Sequence, residues 1–169
     1  MSEADVSVRI EAAGLSRLMD VAPAIVVEEL TAGVTEATML AEREIRERTP
    51  TSGAGTLRDS IGAMPVEISG EAVRGEVATS LAYAAPVETG SRPHFPPVEP
   101  LVDWVERRLG LSGPAARGAA WAIARKIAAR GTEGAFMFRD GLAAVEQQVI
   151  AIVSGAVARA AARISAGER

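Results

Sequence analysis

The segment from Pro23 to Arg48 most constrains the fold. Leu30, Val34, Ala37, Ala41 and Ile45 recur every three or four residues, the period that lays one apolar stripe along a helix. Pro23 suits a first helical turn, where its missing N–H costs nothing. Thr49-Pro50 closes the stretch, because a residue before proline is pushed out of the helical region. Glu42 with Arg46 and Glu44 with Arg48 stand four apart in the favourable order. A helix of this length spans roughly 39 Å at 1.5 Å per residue. Gly33 is a weak point inside it.

The rest of the chain supplies what the stripe can cover. Val6, Val8 and Ile10 alternate with Ser7 and Arg9, as in a short strand with one buried face, and Gly14 breaks the pattern. Ile61–Ser69 and Ala72–Ser80 read as an antiparallel hairpin joined at Gly70-Glu71. Val73, Gly75, Val77 and Thr79 would share one face, and Pro65 favours an edge or bulge position. Leu101, Trp104, Val105 and Leu109 line one side of a short helix that Gly110 stops. Pro114 opens another, ending at Arg130-Gly131, with Ala116, Ala120, Ile123 and Ile127 as its buried edge. The last helix starts near Arg139 and carries Leu142, Val145, Val149, Ile152, Ala156, Val157 and Ala160. The order predicts the α+β class: a long N-terminal helix and C-terminal helices packed on a small antiparallel sheet. The expected organisation is one domain over residues 1–169, with an extended interaction loop at 81–97 and a frayed tail at 165–169.

Composition narrows the chemistry. A net charge of −4 disfavours a dedicated nucleic-acid binder. The chain has no Cys and one His, which leaves no thiolate chemistry and disfavours zinc. Thr-Ser-Gly-Ala-Gly-Thr at 51–56 lacks the Lys of a phosphate-binding loop. No Gly-x-Ser-x-Gly elbow accompanies His94. The paired Glu28 and Glu29 read as a solvated helix face. The expectation is a non-enzymatic protein with no cofactor and no metal. The N-terminus lacks a signal-peptide core, and no apolar run approaches the ~20 residues that cross a bilayer, so no membrane partner is expected.

Two features point to a partner. Tyr83 to Pro97 holds the only Tyr, the only His and one of three Phe in a chain that is 4% aromatic. Such a stretch is stiffened by proline and rich in contact area. Tyr83 and Phe95 are the candidate anchors, with Glu88, Gly90, Arg92 and His94 beside them. On a later helix Trp121 stands four residues from both Arg117 and Arg125, so the three share a face where cation–π contact is possible. The alternative for that face is ordinary solvation.

The motifs together resemble the tail-component, or tail-completion, family of long-tailed bacteriophages and prophages. A long helix ends in Thr-Pro. A Ser/Thr-Gly loop, Leu57-Arg58-Asp59-Ser60-Ile61, a hairpin, Tyr83-Ala84 and Glu88-x-Gly90-Ser91 follow. Ile123-Ala124-Arg125-Lys126-Ile127, Gly131-Thr132 and Phe136-Met137-Phe138 come later. The resemblance covers Glu42 to Leu142. The chain departs from the family's pattern in an extra Ala54-Gly55 without the family's Asp, in Thr89 and Ser91 of the Glu-x-Gly-x motif, and in Ala135-Phe136 for a terminal Pro-Phe. The resemblance implies a structural virion protein at the head–tail junction, assembled in the host cytoplasm. It implies a homo-oligomeric ring, a hexamer being the expected size, that touches neighbouring neck and tail proteins and lets DNA pass without specific binding. The other reading is a nucleic-acid- or ligand-binding adaptor using the Trp121 and arginine face.

Overall fold

A computed structural model describes residues 6–12, 20–51, 55–70 and 72–167. The long helix, α1, runs Pro23–Arg48, with its last turn closed by an extended Thr49. Leu30, Val34, Ala37, Ala41 and Ile45 are all buried. Both expected ion pairs, Glu42–Arg46 and Glu44–Arg48, form along its flank.

The stripe is covered from two sides. On one lies a small antiparallel sheet of β1 (Ser7–Ala12), β2 (Gly62–Ala63), β3 (Glu67–Ser69) and β4 (Ala72–Ala78). Strand β4 is central: β1 pairs along one edge, and β2 and β3 share the other. Residues 64–66 stand opposite only residues 75 and 76. This is a one-residue bulge, and it holds Pro65 where no ladder hydrogen bond is required of it. Alternate residues Val73, Gly75 and Val77 are buried, followed by Thr79. The opposite face is polar. Arg9 pairs with Glu76 at 3.2 Å and Arg74 with Glu11 at 3.0 Å, each between residues directly opposed across β1 and β4. Gly75 faces α1 so closely that a Cβ there would run into Thr38.

On the other side lies the last helix, here α6, Met137–Ser165. It starts two residues before the position read from sequence. A Cβ on Gly33 would sit 2.5 Å from the Cβ of Ala156, and one on Gly141 would sit 2.7 Å from Ile45 Cγ1. The two contacts run in opposite chain directions, so α1 and α6 are antiparallel neighbours at close range. Gly33 is therefore not a weak point. It is a place where α6 comes close, and a bare Cα allows it. An ion cluster closes the same pair: Glu29 to Arg159 at 2.8 Å, and Arg163 to Glu28 and Glu29 at 3.1 and 3.0 Å. By length and composition α6 is apolar enough to cross a bilayer, contrary to the sequence expectation. Its Ala content raises hydropathy on all faces, while its larger residues, such as Met137, Phe138 and Val145, enter the shared core.

A short helix, α2 (Thr56–Ser60), sends Leu57 into the core, and Ile61 follows it. Ser60 Oγ lies 2.7 Å from the buried Thr79 hydroxyl. Between Leu81 and Gly134 the chain makes α3 (Ala84–Thr89), β5 (Gly90–Ser91), α4 (Val98–Leu109), α5 (Gly113–Arg130) and β6 (Thr132–Glu133). Leu109, read as part of the buried side of α4, is exposed at the end of that helix.

Two outcomes follow from the α1–α6 contact. Ala at an exposed helix-interior glycine gains about 1 kcal/mol of propensity. At Gly118 of α5 a Cβ meets nothing within 4 Å, so Gly118→Ala raises the melting temperature. At Gly33 the same gain is opposed by overpacking worth about 1–3 kcal/mol, so Gly33→Ala lowers it. Parallel thermal melts compare the two. The second outcome concerns pH. Hydrogen bonds from Arg159, then Arg163, hold the Glu29 carboxyl below its ordinary value. A carboxyl depressed in the folded state stabilises above its unfolded pKa, and that contribution is lost as pH falls through the folded value. Glu29→Gln should lower stability near neutrality and flatten the acid limb of a stability-versus-pH curve.

Candidate partner-binding site

The segment expected as an extended loop at 81–97 has internal structure. Its first half folds as α3 and β5, and β5 pairs with β6, so that Gly90 opposes Glu133 and Ser91 opposes Thr132. Ser91 N–H donates to Thr132 Oγ1 at 3.0 Å, and the two hydroxyls lie 2.9 Å apart. Gly90 has φ +82°, and a Cβ on it would collide with the Thr132 carbonyl. Gly134 is as tightly placed against Glu88. This two-strand stem roots an arm, residues 92–131, made of the α4–α5 hairpin. The arm has its own small core of Val105, Ala116 and Ala120, with Leu101, Trp104 and Ile123 packed around it.

The structure gives Glu88 a role different from the expected place beside the partner-binding anchors. It is buried. Its carboxylate accepts the N–H of Phe138 at 2.9 Å and of Arg139 at 3.1 Å. Its carbonyl accepts the Phe136 N–H at 3.0 Å, and the Val87 carbonyl accepts the Ala135 N–H at 2.8 Å. Helix α6 begins at Met137 with no cap from its own side chains, and Phe136 before it has φ 50°. Glu88 therefore caps α6 from fifty residues upstream, supplying negative charge where the helix dipole favours it. Left-handed backbone at a bulky residue costs of order 1–3 kcal/mol, and the bonds from Val87 and Glu88 hold it there. The Arg139 guanidinium lies 3.8 Å from the centre of the Phe136 ring. The same guanidinium holds the Asp140 carboxyl below its usual range. The one sequence signal of this role is a single carboxylate, Glu88, directly after the apolar run Ala84–Val87.

The aromatic candidates divide. Phe95 and Trp121 meet, with ring centroids 5.6 Å apart and planes at 52°, inside the range of favourable aromatic pairs. The pair joins the loop to the α5 face, although both rings stay exposed, at 54% and 47%. Tyr83 does not join them. It lines a cavity of about 370 Å³ together with Leu57, Trp104 and Arg108. His94 Nδ1 lies 2.9 Å from the Arg92 carbonyl and 3.5 Å from Ser91 Oγ. A ring nitrogen facing a carbonyl carries the proton, so it is no base for Ser91. Among the described residues no three His, Asp or Glu side chains gather as a metal site needs.

Charge is segregated. Residues 92–131 carry seven Lys or Arg and three Asp or Glu, a balance of +4, against eleven and nineteen, or −8, elsewhere in the chain. Every described arginine outside the arm takes part in an ion pair. In the arm only Arg107 does, with Asp103 at 3.9 Å. Arg92, Arg108, Arg117, Arg125, Lys126 and Arg130 are exposed and make no ion pair among the described residues.

The two halves of this region should respond differently to mutation. Glu88→Ala leaves the buried Phe138 N–H without its acceptor, a loss of about 1–3 kcal/mol, removes the partner of the part-buried Arg139 N–H as well, and should lower the melting temperature. Phe95→Ala with Trp121→Ala removes exposed rings and should leave it within a few degrees of the parent. Calorimetry on both variants checks the contrast.

Residues 13–90 match the model of the family described as "Bacteriophage HK97-gp10, putative tail-component". The match starts earlier than the resemblance read from the motifs and ends at Gly90, where the arm's stem begins. No curated protein and no solved structure matches the chain. From residue 13 to the foot of the arm, the chain is similar to a bacteriophage tail-component family.

Proposed function

We propose that this is a non-enzymatic structural protein of the virion that assembles as a homo-oligomeric ring at the head–tail junction, with neighbouring neck and tail proteins as its other partners. The family match carries the phage tail assignment. The exposed Phe95–Trp121 pair on a self-contained arm supports assembly, because large rings flanked by arginine are typical interface anchors. A ring that passes DNA should not grip it, and the acidic balance of the chain outside the arm suits that. Ring size, with six copies as the expectation, and position at the neck are the finer parts of this reading.

One specific observation favours a second reading: the unpaired cations of the arm beside Trp121 would also suit a nucleic-acid-binding adaptor. Such binding weakens steeply with salt.

The double change Tyr83→Ala with Phe95→Ala tests the assembly reading. If these rings are interface anchors, the variant keeps the parent's melting temperature and fails to assemble. If they only cap the local core, melting drops by several degrees and the surviving folded protein assembles normally. Light scattering and thermal melting on that one variant separate the two accounts.

A further inference from the structure

We infer that the Arg117–Trp121–Arg125 face of one copy seats on the outer face of α1 of a second copy, with Trp121 on Met39 and Leu40 and the arginines on Glu36 and Glu47. The inference rests on the ring reading above and names the contact that would build the ring.

An open groove of about 1060 Å³ runs along the outer face of α1, and Gln148 and Ile152 of α6 form its far wall. Glu36, Met39, Leu40, Arg43 and Glu47 recur at helical spacing and so form one stripe along it. Met39 is 60% exposed, a large apolar side chain with nothing over it. The groove's cations are already engaged: Arg43 by Glu44, Arg46 by Glu42 and Asp59, Arg58 by Asp59. Glu36 and Glu47 are exposed and make no ion pair among the described residues. The groove thus offers two free carboxylates on either side of Met39 and Leu40, with Arg43, paired to Glu44, between Leu40 and Glu47.

The arm offers the inverse. Arg117 and Arg125 are free cations on either side of an exposed Trp121. At 1.5 Å per residue the carboxylates are about 16 Å apart along α1 and the arginines about 12 Å apart along α5. Flexible Glu and Arg side chains bridge a difference of that size. Opposite charges around an apolar anchor fix register as well as attraction. Donor and acceptor are different surfaces, so the contact is head-to-tail and closes into a ring if its rotation allows.

Charge reversal tests the contact. One variant carries Arg117→Glu and Arg125→Glu. The other carries Glu36→Arg and Glu47→Arg. Each is first shown to melt as the parent does. Alone, each should sediment as a single chain under conditions where the parent assembles. In an equimolar mixture the acidic arm of the first fits the basic groove of the second, and the remaining arm and groove of the pair are unchanged, so assembly should return. If either variant alone assembles as the parent does, or the mixture stays monomeric, this contact is wrong while the ring reading stands. A parent chain that is monomeric at every concentration sinks the ring reading and the contact with it. Binding of a duplex oligonucleotide that only the arginine variant loses, with assembly unchanged in both, overturns the proposal and gives the arm to nucleic acid.

Discussion

The buried Glu88 carboxylate ties together parts of the chain that have no other reason to meet. Its side chain holds the first turn of α6, its carbonyl holds Phe136, and two residues later the chain enters the stem of the arm. A buried charge is costly unless it is fully hydrogen-bonded. Here the helix terminus supplies two N–H donors and a favourable dipole, and the carboxylate supplies the cap that α6 lacks. Each need answers the other. Where α6 starts, and hence how Gly141 and Ala156 fall against Ile45 and Gly33, depends on that one exchange.

The long helix and the strands were legible in the sequence because their signals are local and periodic. Pro23, Pro50 and a five-residue stripe mark α1, and alternation marks β1 and β4. The stem was not legible. Strands β5 and β6 have two residues each and lie about forty positions apart, so no period exists to find. The role of Glu88 is hidden for a similar reason: a cap is usually sought within three residues of its helix. Gly33 was visible but read with the wrong sign, because helix propensity describes an isolated helix and close packing overrides it. Of the candidate site, the Trp121 face followed from helical spacing, and its contact with Phe95 needed the fold.

Charge follows the same division. Outside the arm, acids and bases are neighbours on one helix, opposite one another in register across the sheet, or facing between helices, and their pairs are mostly exposed and individually weak. They neutralise the surface as much as they stabilise it. The arm lacks such partners along its outer face, although Glu99, Asp103 and Glu106 stand nearby in sequence. An excess of unpaired cations on a projecting element does little for folding. It raises encounter rates with an acidic surface and fixes orientation on arrival.

Several of the residues that carry the family resemblance are turned inward. Leu57, Ile61 and Ala84 are in the core, Ser60 bonds Thr79, Glu88 caps α6, and Gly90 and Ser91 build the stem. Such residues preserve a scaffold, and the family match ends where the arm begins. The exposed Phe95–Trp121 pair and the free cations lie beyond that limit, on an element with its own core and a narrow attachment. An arm of this kind can change its face without disturbing α1, α6 or the sheet. The scaffold thus accounts for the match to a tail-component family model, and the arm is where this chain would specify which surface it meets.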